Sequence, residues 1–313
     1  MRARWTKMVI LLAALLAAGC SRKSSPSLGV ATAEAQGAPK PKPHPPPRTK
    51  LVAEGPEAEP RVSFVQGRHG RLRLSDGGQG GVPVLFVHGL GSSLDAWQAQ
   101  LDAIRPHRRA AALDLRGHGE SDAPLDDDYS IPALADDVET VIEMLGFDRV
   151  HLVGHSMAGE VLTAYAGRHP EKVAGLVYVD AVGDMHRLSR EDQDNFIAAG
   201  ADPRIDQHKV YEEMLGPRAR PETRERVLAA VDQVKPGALG AIRRAMVEYA
   251  PGDDAARYSG PRTCIDAEGN DSVVDAWALF PGAPRRRVPY VSHFVMMDDP
   301  EAFTTILEAF LIP

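Results

Sequence analysis

The 313-residue chain carries 36 Lys and Arg against 43 Asp and Glu, for a formal net charge of −7, and 43% of it is hydrophobic. That length suits one large domain or two smaller ones. The acidic balance argues against nucleic acid as a partner, and no cluster of potential ligands has the spacing of a zinc site.

The chain opens with Arg2, Arg4 and Lys7, followed by a short apolar run from Val9 to Ala18. About ten apolar residues are too few to span a bilayer and suit the core of a signal peptide. The run ends in Leu16-Ala17-Ala18-Gly19-Cys20, which resembles the lipobox of bacterial lipoproteins, with Ala17 where leucine is more usual. The resemblance implies a signal peptide over 1–19 and cleavage before Cys20. Acylation of Cys20 would then anchor the chain to the membrane, firmly if several acyl chains are attached. Ser21 after the cysteine implies transfer to the outer membrane of a bacterial envelope. Ordinary secretion with an incidental cysteine is the alternative. Residues 20–58 include Pro41-Lys-Pro-His-Pro-Pro-Pro47, cannot bury a core, and read as an extended tether. With Cys20 acylated, Cys264 has no disulfide partner and reads as a buried strand thiol.

From residue 59 strands and helices alternate. Arg61–Val65 and Arg71–Ser75 read as a hairpin around Gly67-Arg-His-Gly70. Val82–Val87 is an apolar run suited to a strand buried on both faces. Leu94–Ile104 is helical and Arg109–Leu113 is a strand. Ser130 caps a predicted helix that has Pro132 in its first turn and closes at Gly146. Strands at 150–153 and 173–179 flank a helix over 157–167. The alternation then stops. Residues 184–258 show predicted helices at 192–199, 208–215, 222–234 and 239–248, and read as an inserted cap. Strand, helix and strand resume at 263–265, 272–279 and 285–291, and a last helix covers 301–311. The resulting class is α/β, a mostly parallel sheet covered by helices on both faces, with core segments 59–183 and 259–313.

The stretch Val153-Gly154-His155-Ser156-Met157-Ala158-Gly159 carries the most chemistry. A serine between small residues at a strand-to-helix turn can be held with its hydroxyl above the sheet edge. Ala158 stands at the fifth position of the Gly-x-Ser-x-Gly pattern, where glycine is usual.

Together with Phe86-Val-His-Gly-Leu-Gly91, Asp114-Leu-Arg-Gly-His-Gly-Glu-Ser121, Phe280-Pro-Gly-Ala283, Ser292-His293-Phe294 and Asp299-Pro-Glu-Ala-Phe303, this stretch resembles the α/β-hydrolase family from the first hairpin to the end of the chain. The resemblance implies Ser156 as nucleophile and His293 as base, although Ser292 stands where glycine usually precedes that histidine. It implies an oxyanion hole from the backbone N–H groups of Leu90 and Met157. The acid usually follows the penultimate strand, which favours Asp271, with Asn270 at the register one residue earlier. Asp180, at the end of the sixth strand, is a rival, and Asp266 and Glu268 are weaker ones. His88, His118 and His155 are implied to serve loop structure, and Arg116 and Asp114 to hold the loop after the fourth strand. Trp97 reads as core packing. Met185, Phe196, Tyr211, Met214, Met246 and Tyr249 of the cap are candidates to line an acyl pocket.

The expected function is cleavage of a small-molecule carboxylic ester or related acyl bond through an acyl-enzyme, with no cofactor or metal. Serine at 156 argues against dehalogenase or epoxide hydrolase chemistry, which would use aspartate there. Lactonase, thioesterase, carbon–carbon hydrolase and perhydrolase activities use the same parts. A catalytically silent, membrane-tethered binding protein on the same fold is the alternative of another class, and a structural envelope lipoprotein is a third.

Overall fold

The computed structural model describes residues 61–312. The expected signal peptide, Cys20 and tether lie outside the described residues. Eight strands form one sheet: β1 (Arg61–Gln66), β2 (Arg71–Gly77), β3 (Val84–Val87), β4 (Ala110–Leu113), β5 (Val150–His155), β6 (Val173–Val179), β7 (Arg262–Ala267) and β8 (Arg285–Val288). Their spatial order is β1-β2-β4-β3-β5-β6-β7-β8. The β1–β2 and β2–β4 pairs are antiparallel, and all the others are parallel.

The continuous apolar runs explain the two-sided covering. Every residue of β3, β4 and β6 is buried, as expected of strands with helices on both faces. Successive side chains enter opposite layers. Leu85, Val87, Leu152 and Leu176 pack on one side, and Val84, Phe86, Val153 and Val177 on the other. Trp97 belongs to the second layer, against Phe86 and Phe303. Cys264 is buried in β7. At the far edge β8 reads Arg285-Arg286-Arg287, and two exposed charges there disfavour addition of another strand.

The helices of the core are α1 (Gln98–Ile104), α2 (Ile131–Leu145) and α3 (Ala158–Arg168). Ser130 Oγ accepts from Ala133 N at 3.3 Å to start α2, and Gly146 at φ +66° ends it. Between β6 and β7 come α4 (Arg190–Ala201), α5 (Gln207–Leu215), α6 (Pro221–Asp232), α7 (Ala238–Glu248) and α8 (Gly252–Arg257). This inserted set straddles the sheet end. Ile242 and Met246 join the first layer, whereas Val210, Tyr211, Val227 and Val231 join the second.

The C-terminal segments depart from the predicted elements. Helix α9 is the single turn Ala276–Leu279, because Asp275 bridges to Val182 and Val274 O accepts from Gly183 N at 2.7 Å, which holds the preceding residues extended. Strand β8 stops at Val288, and Tyr290 turns the chain at φ +58°. Short α10 (Val295–Asp298) and then α11 (Pro300–Leu311) close the fold. Helices α8 and α10 have no counterpart among the predicted elements.

Glu160 in α3 is fully buried, and neither carboxylate oxygen has a hydrogen-bond partner among the described residues. Burial, with a contribution from Asp184, drives its pKa well above 4.5. The folded chain therefore keeps a proton that the unfolded chain releases. Its stabilising contribution is full below about pH 4.5 and is lost as pH rises toward the folded pKa. Glu160→Gln removes that titration, so its stability relative to wild type should increase from about pH 5 to about pH 8, by at most ~1.4 kcal/mol per pH unit. Urea denaturation of both proteins across this range checks it, and a difference independent of pH would refute a neutral buried Glu160.

Candidate active site

Ser156 lies just past β5 at φ +54°, a left-handed conformation that costs a non-glycine residue roughly 1–3 kcal/mol. Backbone hydrogen bonds hold it there. Ser156 N donates to Val179 O at 3.0 Å, and Ser156 O accepts from Val182 N at 2.9 Å and Gly159 N at 3.0 Å. The turn is stapled to the end of β6 on both sides. A Cβ at Gly159 would lie 2.2 Å from Val182 O, and one at Gly154 would lie 2.7 Å from Leu162 Cδ1 and 3.0 Å from Ala158 Cβ. The steric demand for glycine thus falls on 154 and 159, and the methyl of Ala158 is accommodated because Gly154 lacks one.

His293 follows β8 and is nearly buried. Its Nδ1 donates to Asp180 Oδ2 at 2.8 Å, and Nε2 is the ring nitrogen left facing away from that carboxylate. Nε2 is buried and has no partner among the described residues. Ser292, in place of the usual glycine, uses its hydroxyl to accept from Phe294 N at 3.2 Å, while Ser292 N donates to Asp298 Oδ2 at 2.7 Å. The serine therefore caps the turn that carries the histidine.

The carboxylate bonded to His293 is Asp180, the rival weighed above, and Asp271, the favoured residue, does not reach the histidine. Asp180 ends β6 at φ +42°, with its side chain fully buried. Its Oδ1 accepts from Ala267 N at 3.0 Å and Asn270 Nδ2 at 2.8 Å. After β7 a tight turn, closed by Asn270 N donating to Ala267 O at 3.0 Å, points Asn270 inward onto Asp180. The next residue, Asp271, then faces outward, where it is exposed and pairs with Arg287 of the edge strand. Asp266 is buried against Arg285 at 2.6 Å, and burial together with the charge of Asp180 pushes it up to about 7. Glu268 is exposed. Neither touches His293.

The loop that carries Leu90 is held by two buried histidines. His88 Nδ1 donates to Gly89 O at 2.8 Å and its Nε2 accepts from Leu115 N at 3.0 Å. His118 Nδ1 donates to Arg116 O at 3.1 Å and its Nε2 accepts from Gly91 N at 3.1 Å. Each uses one nitrogen as donor and the other as acceptor, so each is neutral. Burial lowers them to about 4 and about 3 respectively. His155 Nε2 donates to His293 O at 3.0 Å, and burial lowers its pKa as well. Arg116 forms a two-pronged pair with Asp137, at 2.9 and 2.7 Å, and Asp114 accepts from Leu94 N at 2.6 Å and Glu120 N at 3.0 Å. These residues fix loops and do not enter the cavity.

That cavity, of about 120 Å³, is lined by Ser156, His293, Asp180, Leu90 and Met157 together with residues of the inserted helices. No carbonyl among the described residues accepts from the N–H of Leu90 or Met157. Of the cap residues expected to line the pocket, Met185, Phe196, Tyr211, Met214 and Met246 do so. Tyr249 instead donates to Asp254 Oδ2 at 2.8 Å. Tyr211 also donates to Leu90 O at 2.9 Å, which ties the cap to the loop beneath it. Arg243, absent from the expected set, is in the wall too. Its one sequence signal is helical spacing, three residues before Met246 on the same face. Among the described residues no group of three or more His, Cys, Asp and Glu side chains could hold a metal.

The family described as "alpha/beta hydrolase fold" matches residues 82–200. The chain is 30% identical over 281 residues to the dihydrolipoyllysine-residue acetyltransferase component of the acetoin cleaving system of Pseudomonas putida, covering 83% of this chain and 70% of that protein. The Cupriavidus necator protein of the same name is 28% identical over 253 residues, covering 77% of this chain and 66% of that protein. The chain therefore spans about two thirds of the length of these relatives. A thermophilic esterase from Thermogutta terrifontis shares the fold, with a TM-score of 0.70 at 24% identity over 80% of this chain and 98% of that one.

The Nδ1 proton of His293, bonded to a buried carboxylate, should give a downfield proton NMR signal. Asp180→Ala should abolish that signal and Asp271→Ala should leave it in place. The opposite pattern would return the acid to residue 271.

Proposed function

The chain belongs to the α/β-hydrolase fold family, and on that premise we propose that it is a serine hydrolase cleaving a short carboxylic ester through an acyl-enzyme. The observation that carries the proposal is the 2.8 Å bond from His293 Nδ1 to Asp180, in the wall of a cavity that also reaches Ser156. In this reading Nε2 of His293 takes the proton of Ser156 as its oxygen attacks the ester carbonyl. Asp180 holds the tautomer and stabilises the imidazolium that forms. The N–H groups of Leu90 and Met157 receive the oxyanion, each worth about 2.7–4 kcal/mol in a comparable site. His293 then protonates the departing alcohol. In the second half it deprotonates a water, which releases the acid and frees Ser156.

The cavity bears on size. A void of about 150 Å³ accepts a benzene ring, so about 120 Å³ favours short acyl groups. Acetyl and butyryl esters should be turned over in preference to decanoyl esters. We also propose that the chain is lipid-anchored at Cys20, facing the periplasm or exterior from the outer membrane. Labelled palmitate should enter the full chain in a bacterial host and fail to enter Cys20→Ala.

A fluorophosphonate tests the chemistry. Intact mass should show one adduct on the wild type and none on Ser156→Ala. Asp180→Asn should slow labelling by up to ~10⁴-fold, because the imidazole loses its tautomer, whereas Asp271→Asn should leave the rate unchanged. Folded wild type that takes no adduct would favour a silent binding protein.

A further inference from the structure

Among the described residues the buried and part-buried arginines differ in how their charge is met. Arg116 meets Asp137, and Arg285 meets Asp266 and Asp275. Arg105, which has no carboxylate in contact, donates from Nε to Ala110 O at 3.1 Å and from Nη2 to Ser75 Oγ at 2.8 Å. Arg243 of α7 is different. It is 2% exposed and forms part of the cavity wall. Its Nη1 donates to Phe196 O at 3.3 Å, its guanidinium stacks over the Phe196 ring at 4.8 Å, and the Tyr211 hydroxyl is a second, neutral hydrogen-bond partner. Nε is buried without a partner, and no carboxylate among the described residues balances the charge.

The surrounding sequence makes room for this side chain. A Cβ at Gly200 of α4 would lie 2.6 Å from Arg243 Cδ and 3.0 Å from Nε. An uncompensated cation in a low-dielectric site is costly to a fold, while a guanidinium matches a carboxylate through two parallel hydrogen bonds. The same wall holds Met185, Met214 and Met246, and its carboxylates, Asp180 and Asp275, are bonded to His293 and Arg285. An anionic group is therefore the ligand chemistry this position accommodates.

We propose that Arg243 binds a carboxylate carried by the substrate, so that the preferred substrate is a short ester that also bears a free carboxylate. This deepens the serine-hydrolase reading and rests on it. The ester carbonyl reaches Ser156 while the carboxylate neutralises Arg243 at the cap side of the same cavity. Arg243 is thus a specificity residue, tied through Tyr211 to the loop of Leu90.

The test separates recognition from catalysis. Calorimetric titration of monomethyl succinate and dimethyl succinate into Ser156→Ala protein should show the monoester binding at least tenfold tighter. In Ser156→Ala/Arg243→Met the preference should disappear, and Arg243→Lys on the same background should keep part of it. Equal affinity for the two esters, no binding of the monoester, or a preference that survives Arg243→Met would each overturn the proposal. If the Met variant does not fold, the comparison on Ser156→Ala alone decides. The fluorophosphonate adduct on wild type reports separately on the hydrolase reading, so failure of one is distinguishable from failure of the other.

Discussion

Ser156 holds φ +54° because the chain on either side of it is bonded to the end of β6, and the geometry of the site follows from that staple. Val179 O and Val182 N bracket the serine, and Asp180 lies between them in the same stretch of chain. One irregular strand end therefore positions both the serine turn and the carboxylate on His293. The parallel sheet supplies the rigidity. Strands buried on both faces have little freedom to move, and a strained turn persists only where its surroundings over-determine it.

The second constraint is electrical. The loop carrying Leu90 is fixed by His88 and His118, both held neutral by burial and by matched donor and acceptor bonds. Rigid backbone donors need no rearrangement when charge develops nearby, which is the basis of their value in a dry site. Tyr211 extends the same framework upward, since its hydroxyl bonds the carbonyl of the residue whose N–H borders the cavity. The cap is attached to the reaction site as well as covering it.

Much of this was legible in the residues. The apolar runs at Val84–Val87 and Val173–Val179 could only be two-sided strands, and the small residues around Ser156 marked the turn. Asp271 was favoured over Asp180 because the direction each side chain takes depends on a turn. With Ala267 and Asn270 joined across the end of β7, residue 270 faces inward and residue 271 outward, and no local pattern encodes that choice. Helix α9 was overestimated for a related reason, since the bridge between Val182 and Asp275 is a long-range contact. Arg243 was missed because a basic residue on a helix is ordinarily solvated. Only tertiary packing across Gly200 turns it inward.

Charge is met differently at two arginines. Arg285 pairs with Asp266 and Asp275, and burial, with the charge of Asp180, pushes Asp266 up to about 7. Arg243 has no carboxylate partner among the described residues, and its Nε is unbonded there. An anionic ligand group beside Arg243 would supply the missing counter-charge. A neutral ligand gains little at such a site, whereas one with an anionic end is both attracted and oriented by the guanidinium.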